Sequence, residues 1–201
     1  HIPITAEGLN KKDLYTISTT NWQPYDWSIN NVALSEQLHT SLAFWQGGQS
    51  ETAFKMWESA LVDSMYLGAS PGGFVQLSFY DAMRGELYRD FADPIGMTSR
   101  TLVEGLFGIL PNALENTLTI QPGFPAKWNN AALEIPDISF SFNRKNNTDS
   151  YQIKTHFTTK MDLKLVLNIP YDNIKLVTIN GEKAIWKTNS DAVGNPQLII
   201  E

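Results

Sequence analysis

The hydrophobic pattern of the sequence changes near Pro111, and this change limits the folds open to the chain. Before it, apolar residues recur at helical spacing over residues 32–45 and 51–65. After it, short runs alternate apolar and polar residues, which is typical of strands that bury one face. The sequence therefore predicts an α+β, two-domain protein, with helical hairpins over residues 1–117 and an antiparallel β-sandwich over residues 118–201.

The first predicted helix ends at Gly47-Gly48, because glycine is the usual residue just beyond a helix C-terminus. Ser28 or Asn30 is the candidate N-cap for this helix. The short link to the second helix predicts an antiparallel helical hairpin.

A third helix is predicted over the apolar residues 99–109, where Ser99 is a suitable N-cap. We expect this helix to be buried.

The strand-like runs of the second part are separated by turn signals. Asn180-Gly181 predicts a two-residue hairpin, and Asn146-Asn147 predicts another turn. The runs are 118–121, 131–135, 138–142, 151–157, 163–169, 175–179, 184–187 and 198–201.

Composition excludes several function classes. The net charge is −6 and the sequence contains no cluster of Lys and Arg, so a nucleic-acid partner is not expected. There is no cysteine, the three histidines are far apart, and no phosphate-binding glycine motif occurs, so we expect neither a metal nor a cofactor. No apolar run reaches the ~18 residues of a membrane span.

Charged and apolar side chains are most closely interleaved in the stretch 80–93. Burying a charge costs several kcal/mol unless it is paired, so this stretch is either an ion-pair network or a site. The charged residues are Asp81, Arg84, Glu86, Arg89, Asp90 and Asp93.

A second candidate region is the aromatic loop before the first helix. Trp22, Tyr25, Asp26 and Trp27 combine flat rings with polar groups, as the wall of a sugar-binding site does. The alternative is that the two tryptophans only anchor the loop.

Three segments resemble the last part of the six-hairpin (α/α) toroid glycoside hydrolases, which include trehalases and α-L-rhamnosidases. YDWSINN, with the following helix that ends in WQGG, is similar to an inner hairpin. RGELYRDFADPIGMTSR is similar to the segment that carries the catalytic base, although Leu87 stands where an aromatic residue is usual. GLFGILPNALENTLTIQPGFPAKWNNAALEIPDISFSF is similar to the passage from the last toroid helix to the C-terminal sandwich. As a whole the chain resembles an uncharacterised glycosidase-like family of gut Bacteroidetes.

The resemblance implies a glycan substrate and an inverting mechanism. In this mechanism one carboxylic acid protonates the leaving oxygen and a second carboxylate, the base, activates a water molecule. The two carboxyl groups lie roughly 6.5–9.5 Å apart, which leaves room for the water. Glu86 falls at the position of the base, and Arg84 and Arg89 would favour its carboxylate form. Asp81 and Asp90 would orient the arginines or bind sugar hydroxyls. Glu58, which follows a tryptophan as in rhamnosidases, is a second choice.

The chain holds too little helical sequence for six hairpins, so we expect the acid on an upstream part of the same polypeptide. The resemblance also implies a periplasmic or secreted protein. The alternative function is a non-catalytic carbohydrate-binding or structural module of the same architecture.

Overall fold

The computed structural model describes residues 1–20, 32–67, 92–171 and 173–201. The chain divides into two compact units, His1–Gly105 and Leu106–Glu201. The described helices lie almost wholly in the first unit, and most of the strands lie in the second, so the protein is α+β. The expected domain boundary between residues 117 and 118 falls inside a strand of the second unit. In the part of the chain that is described, no helix is both long and apolar enough to cross a membrane.

The predicted helical hairpin is present. Helix α1 is Leu34–Gln46 and helix α2 is Ser50–Leu61, which continues as a π-helix over Val62–Leu67. Gly47 is the C-cap of α1, and Gly48 has a positive φ of 73°, which glycine adopts at little cost.

The N-cap prediction for α1 is wrong. Ala33 takes that position in an extended conformation, without a side-chain hydrogen bond. The helix is held instead by packing.

Side chains of α1 reach the backbone of α2 in reverse order. Ser41 Oγ donates to the carbonyl of Ala53 at 2.7 Å, whereas Gln37 Nε2 donates to the carbonyl of Met56 at 2.9 Å. An earlier residue of α1 thus meets a later residue of α2, so the two helices are antiparallel. A short hairpin, β1 (Ile2–Pro3) with β2 (Tyr15–Thr16), precedes them, and the backbone N–H of Tyr15 donates to Ser59 Oγ at 3.2 Å.

The third helix differs from its prediction. Helix α3 is described over Ala92–Arg100 and continues as a π-helix over Thr101–Leu106. Ser99 therefore lies inside the helix, where its hydroxyl donates back to the carbonyl of Ile95, and it is not an N-cap. The sequence did not predict a helix over Ala92–Arg100, because Pro94 and Gly96 both have low helix propensity.

The core of the first unit lies between the three helices. Leu34, Leu38 and Leu42 form the apolar stripe of α1, at the spacing that the sequence predicts. They pack with Ala60 of α2 and Met97 of α3.

The second unit contains two larger sheets. The strands are β3 (Ile109–Asn112), β4 (Thr117–Ile120), β5 (Asn130–Ile135), β6 (Ile138–Lys145), β7 (Thr148–Thr155), β8 (Asp162–Asn168), β9 (Thr178–Ile179), β10 (Glu182–Lys183), β11 (Lys187–Asn189) and β12 (Gln197–Ile200). A five-stranded sheet has the order β11-β12-β8-β4-β3, a three-stranded sheet has the order β5-β6-β7, and β9 and β10 form a separate hairpin.

The prediction of a wholly antiparallel sandwich is wrong at one pair. Strands β4 and β8 are parallel, with Leu118 opposite Leu163 and Ile120 opposite Leu165. The long excursion through β5, β6 and β7 separates these two strands and lets the chain return in the same direction. Strand β3 was also missed, because Ile109 was assigned to the end of a helix.

Both predicted hairpin turns are present. Asn180 and Gly181 have φ angles of 51° and 86° and connect Ile179 to its partner Glu182. Asn146 and Asn147 have φ angles of 50° and 58° and connect β6 to β7. Positive φ at both central positions defines the turn whose twist matches that of the strands, and asparagine tolerates it better than most residues.

Aromatic rings connect the two larger sheets. Phe107, two residues before β3, meets Phe140 of β6 edge-on at 5.7 Å between ring centroids. Phe124 stacks on Phe142 at 5.4 Å, and Phe142 stacks on Tyr151 of β7 at 5.2 Å. The inner face of the three-stranded sheet is therefore an aromatic row that runs toward the β6–β7 turn.

Candidate functional site

Nine of the candidate site residues predicted from the sequence lie outside the described residues. They fall in the ranges 21–31 and 68–91, so their grouping stays a prediction. These residues are Trp22, Tyr25, Asp26, Trp27, Asp81, Arg84, Glu86, Arg89 and Asp90. Asp93, which belongs to the charged stretch 80–93, does lie among the described residues. It is exposed in the first turn of α3.

Glu58, the second choice for a catalytic carboxylate, lies on α2 and accepts an ion pair from Lys11 Nζ. Its side chain is 24% exposed, and that of Lys11 is 45% exposed. An exposed pair of this kind contributes about 1 kcal/mol or less to stability. The contact gives Glu58 a structural role, because it joins the segment before β2, which contains Lys11, to helix α2.

Asp63 is a carboxyl group that the sequence did not single out. It lies in the π-helical continuation of α2, just before the range 68–91. It is half-buried, and burial raises its pKa above the ordinary value. π-Helical segments recur at functional sites, and a raised pKa is what a carboxylic acid needs to donate a proton near neutral pH.

The most closely organised polar cluster in the described part of the second unit is formed by Arg144, Asp149 and Tyr171. Arg144 and Asp149 are cross-strand partners next to the β6–β7 turn. Arg144 Nε and Nη2 donate to the two oxygens of Asp149 at 2.7 and 2.8 Å, which is the two-pronged geometry of a strong pair. Tyr171, from the loop after β8, donates its hydroxyl to Asp149 Oδ1 at 2.9 Å.

The cluster continues the aromatic row of the inner sheet face. The guanidinium carbon of Arg144 lies 5.4 Å from the ring centroid of Phe142 and 5.8 Å from that of Tyr171. Both distances are within the range of cation–π attraction. Arg144 Nη1 also donates to the carbonyl of Ala126 at 3.3 Å. The guanidinium is thereby fixed by contacts from four sides, and the ring of Tyr171 is held in place at the surface.

The electrostatics of the cluster follow from these contacts. The hydrogen bonds to Asp149 are the largest cause that raises the pKa of Arg144 above its ordinary value, so the group stays charged. Burial raises the pKa of Tyr151 and, together with the bond to Asp149, that of Tyr171, so both phenols stay protonated at neutral pH. Arg144, Tyr151 and Tyr171 therefore keep their protonation states near pH 7.

One contact of this cluster, the pair of Arg144 and Asp149, can be predicted from the sequence. A two-residue turn at Asn146-Asn147 places Arg144 opposite Asp149, which predicts their pairing. Tyr171 gave no such signal, because it reaches the pair only through the tertiary fold.

Comparison of the chain with models of protein families, with curated proteins and with solved structures finds no match. The function must therefore be argued from the architecture and from the residues themselves.

Proposed function

We propose that this chain is the C-terminal portion of a glycoside hydrolase that cleaves glycosidic bonds with inversion. Glu86 is the general base, and the general acid comes from a segment upstream of residue 1. The described helices are the end of an (α/α) toroid in this proposal. Trp22, Tyr25, Asp26 and Trp27 form part of the substrate wall, together with Asp81, Arg84, Arg89 and Asp90.

One observation carries the proposal, namely the order of structures along the chain. An antiparallel pair of helices, α1 and α2, and a third helix, α3, are followed directly by a unit that contains two larger β-sheets and a separate two-stranded hairpin. This is the order that the resemblance to the toroid glycoside hydrolases implies. The family-like segment covers residues 84–100, so Glu86 falls in sequence between α2 and α3, and the second half of the segment is α3 itself. The architecture supports the assignment of the segment, and the sequence of the segment supports the chemistry.

The alternative is a carbohydrate-binding module without catalysis. The ordered surface around Tyr171 favours it, because a fixed aromatic ring among polar groups is a common binding surface for a sugar ring. The pKa values of Arg144, Tyr151 and Tyr171 are all raised, so none of these groups would transfer a proton near pH 7. The two functions differ in whether a bond is broken.

The test is a hydrolysis screen of the full-length protein against aryl glycosides and plant oligosaccharides. Glu86→Gln is expected to lower turnover by at least about 10³-fold, because a positioned base contributes about 10²–10⁴-fold. The matched control is Glu115→Gln, at an exposed residue of the β3–β4 turn, which is expected to leave turnover unchanged. Equal turnover in the Glu86→Gln variant removes Glu86 as the base, whereas binding of glycans without turnover supports the module.

A further inference from the structure

A cleft opens beside Tyr171 at the end of the β6–β7 hairpin. Its volume is about 460 Å³, and it is lined by Asn129, Arg144, Lys145, Asn146, Asn147, Pro170 and Tyr171. All these residues belong to the second unit. The cleft is therefore separate in sequence from the predicted catalytic segment around Glu86.

The walls of the cleft have fixed positions. The backbone N–H of Arg144 donates to the carbonyl of Asn129 at 2.7 Å, which holds the segment before β5 against β6. The turn at Asn146 and Asn147 is set by its two positive φ angles. The bond from Tyr171 to Asp149 attaches the loop after β8 to the same hairpin. A ligand would meet a site that is largely formed before it binds, which lowers the entropic cost of binding.

The polar groups of the cleft fall into two sets. Arg144 is engaged by Asp149 and by the carbonyl of Ala126. The side-chain amides of Asn129, Asn146 and Asn147 have no hydrogen-bond partner within the residues that the structure describes, and the same holds for the ammonium of Lys145. Each amide offers two donors and an acceptor, which suits the mixed donor and acceptor character of sugar hydroxyls.

The charge of the cleft points to the class of sugar. Arg144 and Asp149 neutralise each other, so Lys145 leaves the described lining with a net positive charge. This is opposite in sign to the whole chain, whose net charge is −6. The lining thus combines the ammonium of Lys145, an aromatic ring and three amides, and this set of groups matches a sugar ring that carries hydroxyls and one carboxylate.

We propose that this cleft binds an acidic glycan through a hexuronate residue. The sugar ring lies against the face of Tyr171, its hydroxyls bond to the amides of Asn129, Asn146 and Asn147, and its carboxylate pairs with Lys145. The site captures the polymer and takes no part in bond cleavage.

The test is calorimetric titration of the full-length protein with a galacturonic acid trisaccharide and with the corresponding neutral galactose trisaccharide. The Glu86→Gln background prevents hydrolysis of either probe. At low salt we expect the acidic probe to bind at least fivefold more tightly than the neutral one, with a preference that shrinks as salt screens the charge. Lys145→Gln should abolish the preference, whereas Lys154→Gln, at an exposed position farther along β7, should retain it.

Tyr171→Ala should weaken binding of both probes at least tenfold, and Tyr171→Phe should retain binding because the ring remains. Lys145 is exposed, so its substitution tests the proposal even if Tyr171→Ala does not fold. The proposal is overturned if neither probe binds, if both bind equally to the parent protein, or if Lys145→Gln behaves like Lys154→Gln.

Discussion

Gly105 lies against the indole of Trp45. A Cβ atom at Gly105 would overlap the Cε3 atom of Trp45, whose side chain is only 5% exposed. The π-helical end of α3 can approach α1 this closely only because residue 105 has no side chain. The absence of a side chain at one position thus sets the spacing of two helices in the first unit.

Gly105→Ala should lower the free energy of unfolding by about 1–3 kcal/mol, because the ring or the backbone must shift to admit the methyl group. The matched control is Gly96→Ala on the same helix, where a Cβ meets nothing within 4 Å. That change should stabilise the protein by about 0.5–1 kcal/mol, since alanine is the better helix former. Urea unfolding of both variants measures the difference, and equal effects would contradict the close contact.

Gln37 should be needed for the first unit to fold stably. It is fully buried, its Nε2 donates to the carbonyls of Met56 and Tyr15, and its Oε1 accepts from the backbone N–H of Ile17 at 3.0 Å. Gln37→Leu leaves that N–H without an acceptor and should cost about 1–3 kcal/mol. Gln46→Leu, at the exposed end of α1, should change stability by less than about 0.5 kcal/mol. Chemical denaturation of the two variants measures both changes in the free energy of unfolding. Equal changes would show that the hydrogen bonds of Gln37 contribute little to stability.

Arg144→Lys tests the geometry of the cluster in the second unit. Lysine keeps the charge but cannot make two parallel bonds to Asp149, so we expect a loss of about 1–2 kcal/mol. The control is Arg100→Lys, which alters an exposed pair with Glu104 and should have an effect within about 0.5 kcal/mol. A loss no larger than that of the control would show that the two-pronged pair contributes little.

Asp63 should make stability depend on pH. Its pKa in the folded chain is raised above the ordinary 3.8, so the folded state retains this proton after the unfolded state has lost it. The resulting stabilisation is fully present below pH 3.8 and is lost as pH rises through the folded pKa. Asp63→Asn should therefore unfold at higher denaturant than the parent protein at pH 7 and show a flatter dependence on pH.

The exposed Asp191→Asn serves as the control for Asp63, and it should follow the parent protein at every pH. If Asp63→Asn is less stable than the parent at pH 7, the carboxylate has a stabilising partner and the sign of this prediction is wrong.

The sequence predicted those parts of the fold that depend on local signals. The hairpin of α1 and α2 followed from the spacing of Leu34, Leu38 and Leu42 and from Gly47-Gly48. The turns at residues 146–147 and 180–181 followed from residue types that accept a positive φ.

The features that were missed depend on contacts between distant residues. The alternation of apolar and polar residues shows which residues of β4 and β8 share a face of the sheet. It does not show that the two strands are parallel. The helix over Ala92–Arg100 was not predicted because Pro94 and Gly96 oppose a helix locally, and the burial of Met97 in the same core cluster as Leu34 and Leu38 overrides them. Tyr171 could not be connected with Asp149 for the same reason, since only the folded chain brings them together.

The most direct measurement of the central proposal is proton NMR of a glycan digest by the full-length protein, recorded before the product sugar equilibrates between its anomers. We expect the first product signal to carry the anomeric configuration opposite to that of the substrate, and we expect it to be absent in Glu86→Gln. A product that retains the substrate configuration, or a Glu86→Gln variant that releases it as fast as the parent protein, would contradict the proposal.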